Sequence, residues 1–421
     1  MDKFIINGGK KLSGEVVLQG SKNAALPILV AGLLIEKGKT VIKNIPDLAD
    51  IDTMLKVLAH LGVRTDWNKD ERVVTLDAAS LSTYEAPYEL VRKMRASFLV
   101  MGPLLGRCHQ ARVSLPGGCV LGPRPVDYHL KAFARLGAKI EEDQGYVSAT
   151  AKEGLQGTTI HFDKPSHTGT ENVIMAACLA EGKTIINNAA CDPEVVDLAE
   201  FLIRAGAKIK GAGSAIVEIE GVKKLHAVEH SVMPDRLEAG TFMMAVGSAG
   251  GEISIKPNCE AYLSIVIDKL KEAGMEIKSQ KDCLRVLRKG PIEAIDVTTF
   301  PFPGFPTDLQ AATLAMCCIC KGISHIKETV FTERFTHVME LTRLGADIKV
   351  AGEEAIITGV KHLQGAAVMA SDIRAGAGLI VGALGALGTS EILRIYHVDR
   401  GYEHIEAKLA NLGADIKRED A

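Results

Sequence analysis

At 421 residues the chain is too long for one ordinary core, so it folds as two or more domains. With 47% hydrophobic and 24% charged residues its composition is that of a globular protein, and a net charge of −3 argues against a nucleic-acid surface as its main function.

From the N-terminus onward, Met1-Asp-Lys-Phe-Ile-Ile-Asn7 lacks the apolar core of a signal peptide. The nine cysteines are an odd number in a long chain and do not read as a disulfide framework. Both features lead to the expectation of a reducing, cytoplasmic setting. The longest apolar run, Ala375 to Gly388, is too short and too rich in glycine to span a bilayer, so no membrane association is expected.

A first helix opens at Lys22-Asn-Ala-Ala after a Gly20-Ser21 turn. A lysine there opposes the helix dipole unless an anion compensates. Five more helices of small apolar residues open near Arg95-Ala-Ser, Thr168-Gly-Thr, Arg236-Leu-Glu, Thr307-Asp-Leu and Arg374-Ala-Gly. Between them a second phrase recurs, from Leu58-Ala-His-Leu-Gly-Val-Arg64 and Phe133-Ala-Arg-Leu-Gly-Ala-Lys139 to Leu409-Ala-Asn-Leu-Gly-Ala-Asp415. Its glycines are Gly62, Gly137, Gly206, Gly274, Gly345 and Gly413. They recur roughly every 70 residues, and each suits the left-handed position just past a helix end.

The six units read as β-α-β-α-β-β. Helices that are apolar all round belong inside a domain, with sheets outside. Six units divide into two domains of three, an α/β architecture. Helix openings present free N–H groups, and basic residues at four of them (Lys22, Arg95, Arg236, Arg374) favour an anion-binding cleft over six solvated caps.

The stretch Ser114-Leu-Pro-Gly-Gly-Cys-Val-Leu-Gly-Pro-Arg-Pro-Val-Asp127 must be a loop. Cys119 is either a reactive thiol served by Arg124 or an incidental residue of a surface hairpin. Asp308 closes the rigid run Pro301-Phe-Pro-Gly-Phe-Pro-Thr-Asp308 and is either a first-turn cap or a general base. Asp372 either caps its helix or orients an arginine; Arg334, Arg374 and Arg400 each lie near an element end. The Cys317-Cys-Ile-Cys320 run sits in an apolar helix without a second ligand pair, so core thiols are expected and no metal site. No phosphate-binding P-loop or dinucleotide fingerprint occurs.

With these residues assembled, the chain resembles the UDP-N-acetylglucosamine enolpyruvyl transferases, essentially end to end. The motifs that carry the resemblance are Gly20-Ser-Lys-Asn-Ala-Ala-Leu-Pro27, Met94-Arg-Ala-Ser97, Leu115-Pro-Gly-Gly-Cys119, Gly122-Pro-Arg-Pro-Val-Asp127, Phe305-Pro-Thr-Asp308, Glu328-Thr-Val-Phe331 and Tyr396-His-Val-Asp-Arg-Gly-Tyr-Glu403. The resemblance implies two inside-out α/β barrel domains of three repeats each, residues 22–233 forming one and residues 1–21 with 234–421 the other.

The reaction so implied moves the enolpyruvyl group of phosphoenolpyruvate to the 3′-hydroxyl of UDP-N-acetylglucosamine, without metal or organic cofactor, as the first committed step of peptidoglycan synthesis. The resemblance makes Cys119 the acid at the methylene carbon and the thiol that fosfomycin alkylates. It makes Asp308 the base on the sugar hydroxyl, and Lys22, Arg124 and Arg400 the cations around phosphate and carboxylate. Its substrate contacts further include Asn23, Arg95, Pro125, Val126, Asp127, Lys164, Ser166, His167 and Val330, with Arg334, Asp372 and Arg374 closing the cleft. His167 departs from the small apolar residue of many relatives. The sister reaction on shikimate 3-phosphate and an inactive UDP-N-acetylglucosamine-binding paralogue are the alternatives. The oligomeric state is left open.

Overall fold

The computed structural model of the chain describes residues 2–115 and 126–420. Cys119, Arg124 and Pro125 therefore lie outside the described residues. The chain divides into two compact units: one takes residues up to Gln19 and from Pro234 onward, the other the residues between Gly20 and Met233.

Among the described residues there are six four-stranded sheets, three in each unit, all with one topology. In the sheet of the third repeat, Thr159–His161 pairs in parallel with Lys183–Asn187. Lys183–Asn187 then runs antiparallel to Ile216–Glu220, which is also antiparallel to Lys208–Lys210. A parallel step needs a crossover, and helix His167–Ala177 supplies it. A second helix, Pro193–Arg204, covers the sheet and leads into the closing antiparallel pair. This is the expected β-α-β-α-β-β unit.

The two helices of each repeat differ for a physical reason. Those that open with the polar phrase are buried on nearly every side, with polar residues concentrated in their opening turns. In Arg236–Ala249 every residue from Arg236 to Ser248 is buried, and Ile373–Gly385 and His167–Ala177 are nearly as enclosed. Their close approach depends on glycine: a Cβ at Gly378 would stand 2.8 Å from the Ala311 carbonyl oxygen, and one at Gly102 would stand 2.4 Å from that of Asn172. The second helices, such as Ala49–His60 and Pro193–Arg204, bury only one face. They end on the six repeated glycines, whose φ values lie between 87° and 105°. That is the left-handed region in which a side chain is strained. The α/β fold with buried helices and outer sheets thus follows from composition at the helix level.

Two features depart from a simple string of six units. The strand before the first helix, Leu12–Val17, pairs with Gly251–Lys256, while Glu229–Ser231 takes the equivalent place beside Thr40–Lys43. The last repeat is completed by the N-terminal strand, since Asp2–Asn7 lies between Thr389–Leu393 and Asp415–Asp420, antiparallel to both. In addition, the second buried helix opens as a 3-10 turn, Arg95–Val100, before Met101–Cys108. Pro103 has no N–H to close an α-helical bond back to Leu99, so the tighter turn takes over there.

Candidate active site

In the unit of residues 20–233, Ser21 caps helix Lys22–Ala31 by accepting from the Ala24 N–H. Lys22 is buried and its Nζ lies 3.4 Å from Asp50 Oδ2. The compensating anion required by the dipole argument is therefore present within the protein, in the first turn of Ala49–His60. Asn23 follows Lys22 in the helix and is half-buried.

A second cluster forms at the opening of His167–Ala177. Ser166 is its N-cap and accepts from Gly169 N–H at 3.2 Å, while Lys164, two residues before, is exposed. His129, in helix Asp127–Arg135, is buried against this opening. Asn172 Nδ2 donates to His129 Nδ1 at 3.0 Å, so the ring proton sits on Nε2 and faces Thr168 Oγ1 at 3.3 Å. Burial, and then the positive field of Arg95, push the His129 pKa down to about 4. The ring is neutral at physiological pH and is held by Asn172 and Thr168 of the helix opening. Val126 is the N-cap residue of the helix that carries His129, and Asp127 lies in its first turn.

His167 does not stand free in the helix opening. Its Nε2 is 3.1 Å from the buried Glu171 and its Nδ1 is 3.5 Å from Asp192. Burial opposes its charge, but the two carboxylates outweigh it and hold the imidazole pKa well above the ordinary value. Burial likewise raises Glu171, which His167 partly offsets.

In the other unit, Asp308 lies in the 3-10 turn Thr307–Leu309, which opens Gln310–Cys317. Its carboxylate is gripped from two sides. Arg334 Nη1 donates to Oδ1 at 2.8 Å, and Arg374 Nε and Nη2 reach Oδ2 at 3.1 and 3.0 Å. Both arginines are 5% exposed, whereas the Asp308 side chain keeps 24% of its surface open. Arg374 is further tied through Nη1 to Tyr402 Oη at 2.9 Å, and Tyr402 in turn meets Thr241 Oγ1 at 2.9 Å. Burial works against the Arg374 charge, but Tyr402, Asp308 and Asp235 more than offset it and hold its pKa above the usual range. Asp372 is the N-cap of Ile373–Gly385 and accepts from the Arg374 and Ala375 N–H groups. It fixes the backbone from which Arg374 projects.

The loop before Arg334 is pinned by Glu328, which is fully buried. One of its oxygens accepts from Thr299 Oγ1, Val330 N–H and Phe331 N–H, and the other from Thr307 Oγ1. Val330 thereby acquires a fixed backbone. Arg400 ends the 3-10 helix Ile395–Arg400. The turn after it is held by Gln19, whose side chain donates to the Gly401 carbonyl at 3.0 Å and accepts from Glu403 N–H at 2.7 Å.

The described motif residues are divided between the two units, and within the second the structure brings Asp308, Arg334 and Arg374 into direct contact, with Asp372 capping the helix of Arg374. The first contains Lys22, Asn23, Arg95, Val126, Asp127, Lys164, Ser166 and His167. The second contains Asp308, Val330, Arg334, Asp372, Arg374 and Arg400. The Asp308 carboxylate is thus held in one orientation by two guanidiniums.

The EPSP synthase (3-phosphoshikimate 1-carboxyvinyltransferase) family model matches residues 6–409. The UDP-N-acetylglucosamine 1-carboxyvinyltransferase of Desulfatibacillum aliphaticivorans is 50% identical over 418 residues, covering 99% of this chain and 100% of the relative. UDP-N-acetylglucosamine 1-carboxyvinyltransferase 2 of Carboxydothermus hydrogenoformans is 52% identical over 420 residues, 99% of each chain. The chain belongs to the UDP-N-acetylglucosamine 1-carboxyvinyltransferase family. Among solved structures, the enolpyruvyl transferase NikO from Streptomyces tendae matches with a TM-score of 0.90 at 24% identity, covering 100% of this chain and 99% of that one. The EPSP synthase of Acinetobacter baumannii matches with a TM-score of 0.77 at 17% identity over the whole of both chains. At such identities these two neighbours establish the fold shared by the UDP-N-acetylglucosamine 1-carboxyvinyltransferase family and its sisters.

Sequence reasoning missed His129, Thr307, Glu328 and Tyr402 as members of the two groups in this carboxyvinyltransferase. The available signal was their polarity beside motif residues: His129 two positions past Asp127, Thr307 before Asp308, Glu328 opening its own motif, and Tyr402 inside the Arg400 motif.

The His167 cluster has a measurable consequence. A histidine whose folded pKa is raised stabilises the fold below its unfolded pKa, and that stabilisation disappears as pH rises through the folded pKa. His167→Val is expected to cost about 1 kcal/mol at pH 6, a partly screened ion-pair value, and progressively less towards pH 9. Urea denaturation of both proteins at the two pH values checks this. A difference independent of pH would show that the ring contributes packing alone.

Proposed function

We propose that the chain transfers the enolpyruvyl group of phosphoenolpyruvate to the 3′-hydroxyl of UDP-N-acetylglucosamine and releases phosphate, supplying the first committed intermediate of peptidoglycan. The observation that carries this reading is identity of 50% or more with UDP-N-acetylglucosamine 1-carboxyvinyltransferases over 99% of the chain.

In this reading the sugar oxygen bonds to C2 of the donor while a proton is added at C3, giving a tetrahedral intermediate. Loss of a C3 proton and departure of phosphate then restore the double bond. Asp308 takes the hydroxyl proton; its fixed orientation between Arg334 and Arg374 supports that role. Cys119 delivers the proton to C3. Lys22, Arg124 and Arg400 offset the charge on the donor's phosphate and carboxylate. Asn23, Arg95, Pro125, Val126, Asp127, Lys164, Ser166, His167 and Val330 hold the sugar nucleotide. No helix among the described residues is long and apolar enough to cross a membrane, and the proposed location is the cytoplasm.

The test is phosphate release from phosphoenolpyruvate, measured with UDP-N-acetylglucosamine and separately with shikimate 3-phosphate. Turnover with the sugar nucleotide alone is expected. Turnover with shikimate 3-phosphate alone would replace the proposal with the sister reaction, and binding of the sugar nucleotide without any turnover would replace it with a sensor.

A further inference from the structure

The Thr307 hydroxyl links the Glu328 carboxylate to the Arg334 guanidinium, a position the reaction does not itself require. Its Oγ1 lies 2.8 Å from Glu328 Oε2 and 2.9 Å from Arg334 Nη1. Arg334 Nη1 is also 2.8 Å from Asp308 Oδ1. A hydroxyl has one proton to give and two lone pairs to offer. An ionised carboxylate only accepts and a guanidinium only donates. The directions of the hydrogen bonds are therefore fixed: Thr307 donates to Glu328, Arg334 donates to Thr307, and Arg334 donates to Asp308.

The remaining anchors of Arg334 are few. Its Nε is buried and makes no hydrogen bond among the described residues, and its guanidinium sits 5.4 Å from the Phe331 ring centre. The Thr307 lone pair is thus a main restraint on the angle at which Arg334 meets Asp308. Glu328 is itself held by three donors on its other oxygen, so it cannot turn away.

We propose that Thr307, oriented by Glu328, is a positioning residue that aims Arg334 at Asp308 and so sets the proton affinity of the base. This inference rests on the functional reading above. Among the described residues, the titratable or charged groups facing this pair include Arg374 with Tyr402 and Asp235, Asp372 with His397, whose pKa burial and then Arg400 lower, and the buried His337, whose pKa burial pushes down to about 4. His337 is neutral across the working range and the arginines stay charged, so it is the displacement of the acidic limb between wild type and Thr307→Val, not the limb itself, that is read as the change at Asp308.

The experiment compares wild type, Thr307→Val, Thr307→Ser and Glu328→Gln. Phosphate release is followed from pH 5 to 9, and UDP-N-acetylglucosamine binding is measured by calorimetry. Valine keeps the shape of threonine but removes both hydrogen bonds. It is expected to lower kcat by roughly 10- to 100-fold, the range for a misoriented acid–base group. The acidic limb should move to higher pH because one guanidinium is no longer aimed at the carboxylate. Binding of the sugar nucleotide should change by less than about threefold. Serine restores the hydroxyl and should recover kcat to within about threefold of wild type.

Glu328→Gln places an amide N–H against Thr307, because the three donors at the other oxygen disfavour the flipped amide. It should lower kcat and move the limb in the same direction. Thermal melts precede the kinetics, and if Thr307→Val does not fold, Glu328→Gln is judged by the same criteria. The inference is overturned if the folded variants keep the wild-type kcat and acidic limb, or if serine is as impaired as valine. Inactivity of the wild type itself would instead strike the functional reading.

Discussion

Asp308→Ala is expected to lose turnover by about 10²- to 10⁴-fold, the range associated with a positioned base, while sugar-nucleotide binding weakens by no more than about tenfold, roughly one hydrogen bond to a charged group. The asymmetry follows from where the carboxylate acts. A base contributes as the hydroxyl proton is transferred, whereas many contacts share the ground-state grip on the nucleotide. Alanine also leaves Arg334 and Arg374, both nearly buried, without the anion between them. Uncompensated buried charge destabilises a fold by several kcal/mol, so Asp308→Asn is the necessary companion. The amide keeps an acceptor for one guanidinium and cannot take a proton at neutral pH. Both variants should fail in phosphate release and still bind the sugar nucleotide in calorimetry. Near-native turnover by either variant would reduce Asp308 to an anchor for its two arginines.

The same carboxylate shows what could and could not be read from the chain. From Pro306-Thr-Asp308 alone the cap was the favoured reading over the base, because a helix opening is where first-turn carboxylates commonly occur. The choice depends on guanidiniums 26 and 66 residues later in the chain. Such distances carry no periodic signal. Lys22 behaved differently: the dipole argument demanded an anion beside it, and Asp50 provides one. That demand was local, since a helix end is only one turn long. Glycines were legible for a similar reason. A helix that must end in a left-handed turn leaves the same residue at the same place, and the six repeats did so at Gly62, Gly137, Gly206, Gly274, Gly345 and Gly413.

Strand exchange was legible only through the family resemblance, which puts residues 1–21 with 234–421, and not from local pattern. Leu12–Val17 and Glu229–Ser231 each precede a buried helix, and either sheet accepts either strand by alternation alone. Pairing between distant segments is decided by tertiary packing within each unit, not by local pattern. Thr307 was hidden in another way. A threonine in a helix opening suggests a cap, but here its hydroxyl reaches Glu328, and the direction of that bond matters more than its presence.

Cys119 is expected to be the thiol that an epoxide phosphonate such as fosfomycin alkylates, and the other cysteines provide the contrast. Cys178 and Cys259 are buried, and burial pushes each thiol up to about 12. Burial also raises Cys318 and the more open Cys108 and Cys191. Cys318 further donates its Sγ–H to the Leu314 carbonyl. A raised pKa leaves little thiolate, and thiolate is the nucleophile. Cys119 is set apart by sequence, between Gly117-Gly118 and Gly122-Pro-Arg124. The family resemblance puts Lys22 and Arg124 on the donor's anionic groups, which a phosphonate imitates. An anion held there keeps its epoxide carbon beside the sulfur. Sulfur attacks that carbon, the C–O bond opens, and the oxygen takes up a proton. Effective molarity then drives a reaction that a free thiol undergoes slowly. Saturating UDP-N-acetylglucosamine should accelerate labelling. Cys119→Ser should abolish the adduct, and Cys119→Asp should abolish it while retaining turnover, because a carboxylic acid can still deliver a proton to C3. Peptide mass mapping after inhibitor treatment decides the matter: an adduct on Cys108 or Cys191, or full activity in a Cys119→Ala variant, would remove Cys119 from the reaction.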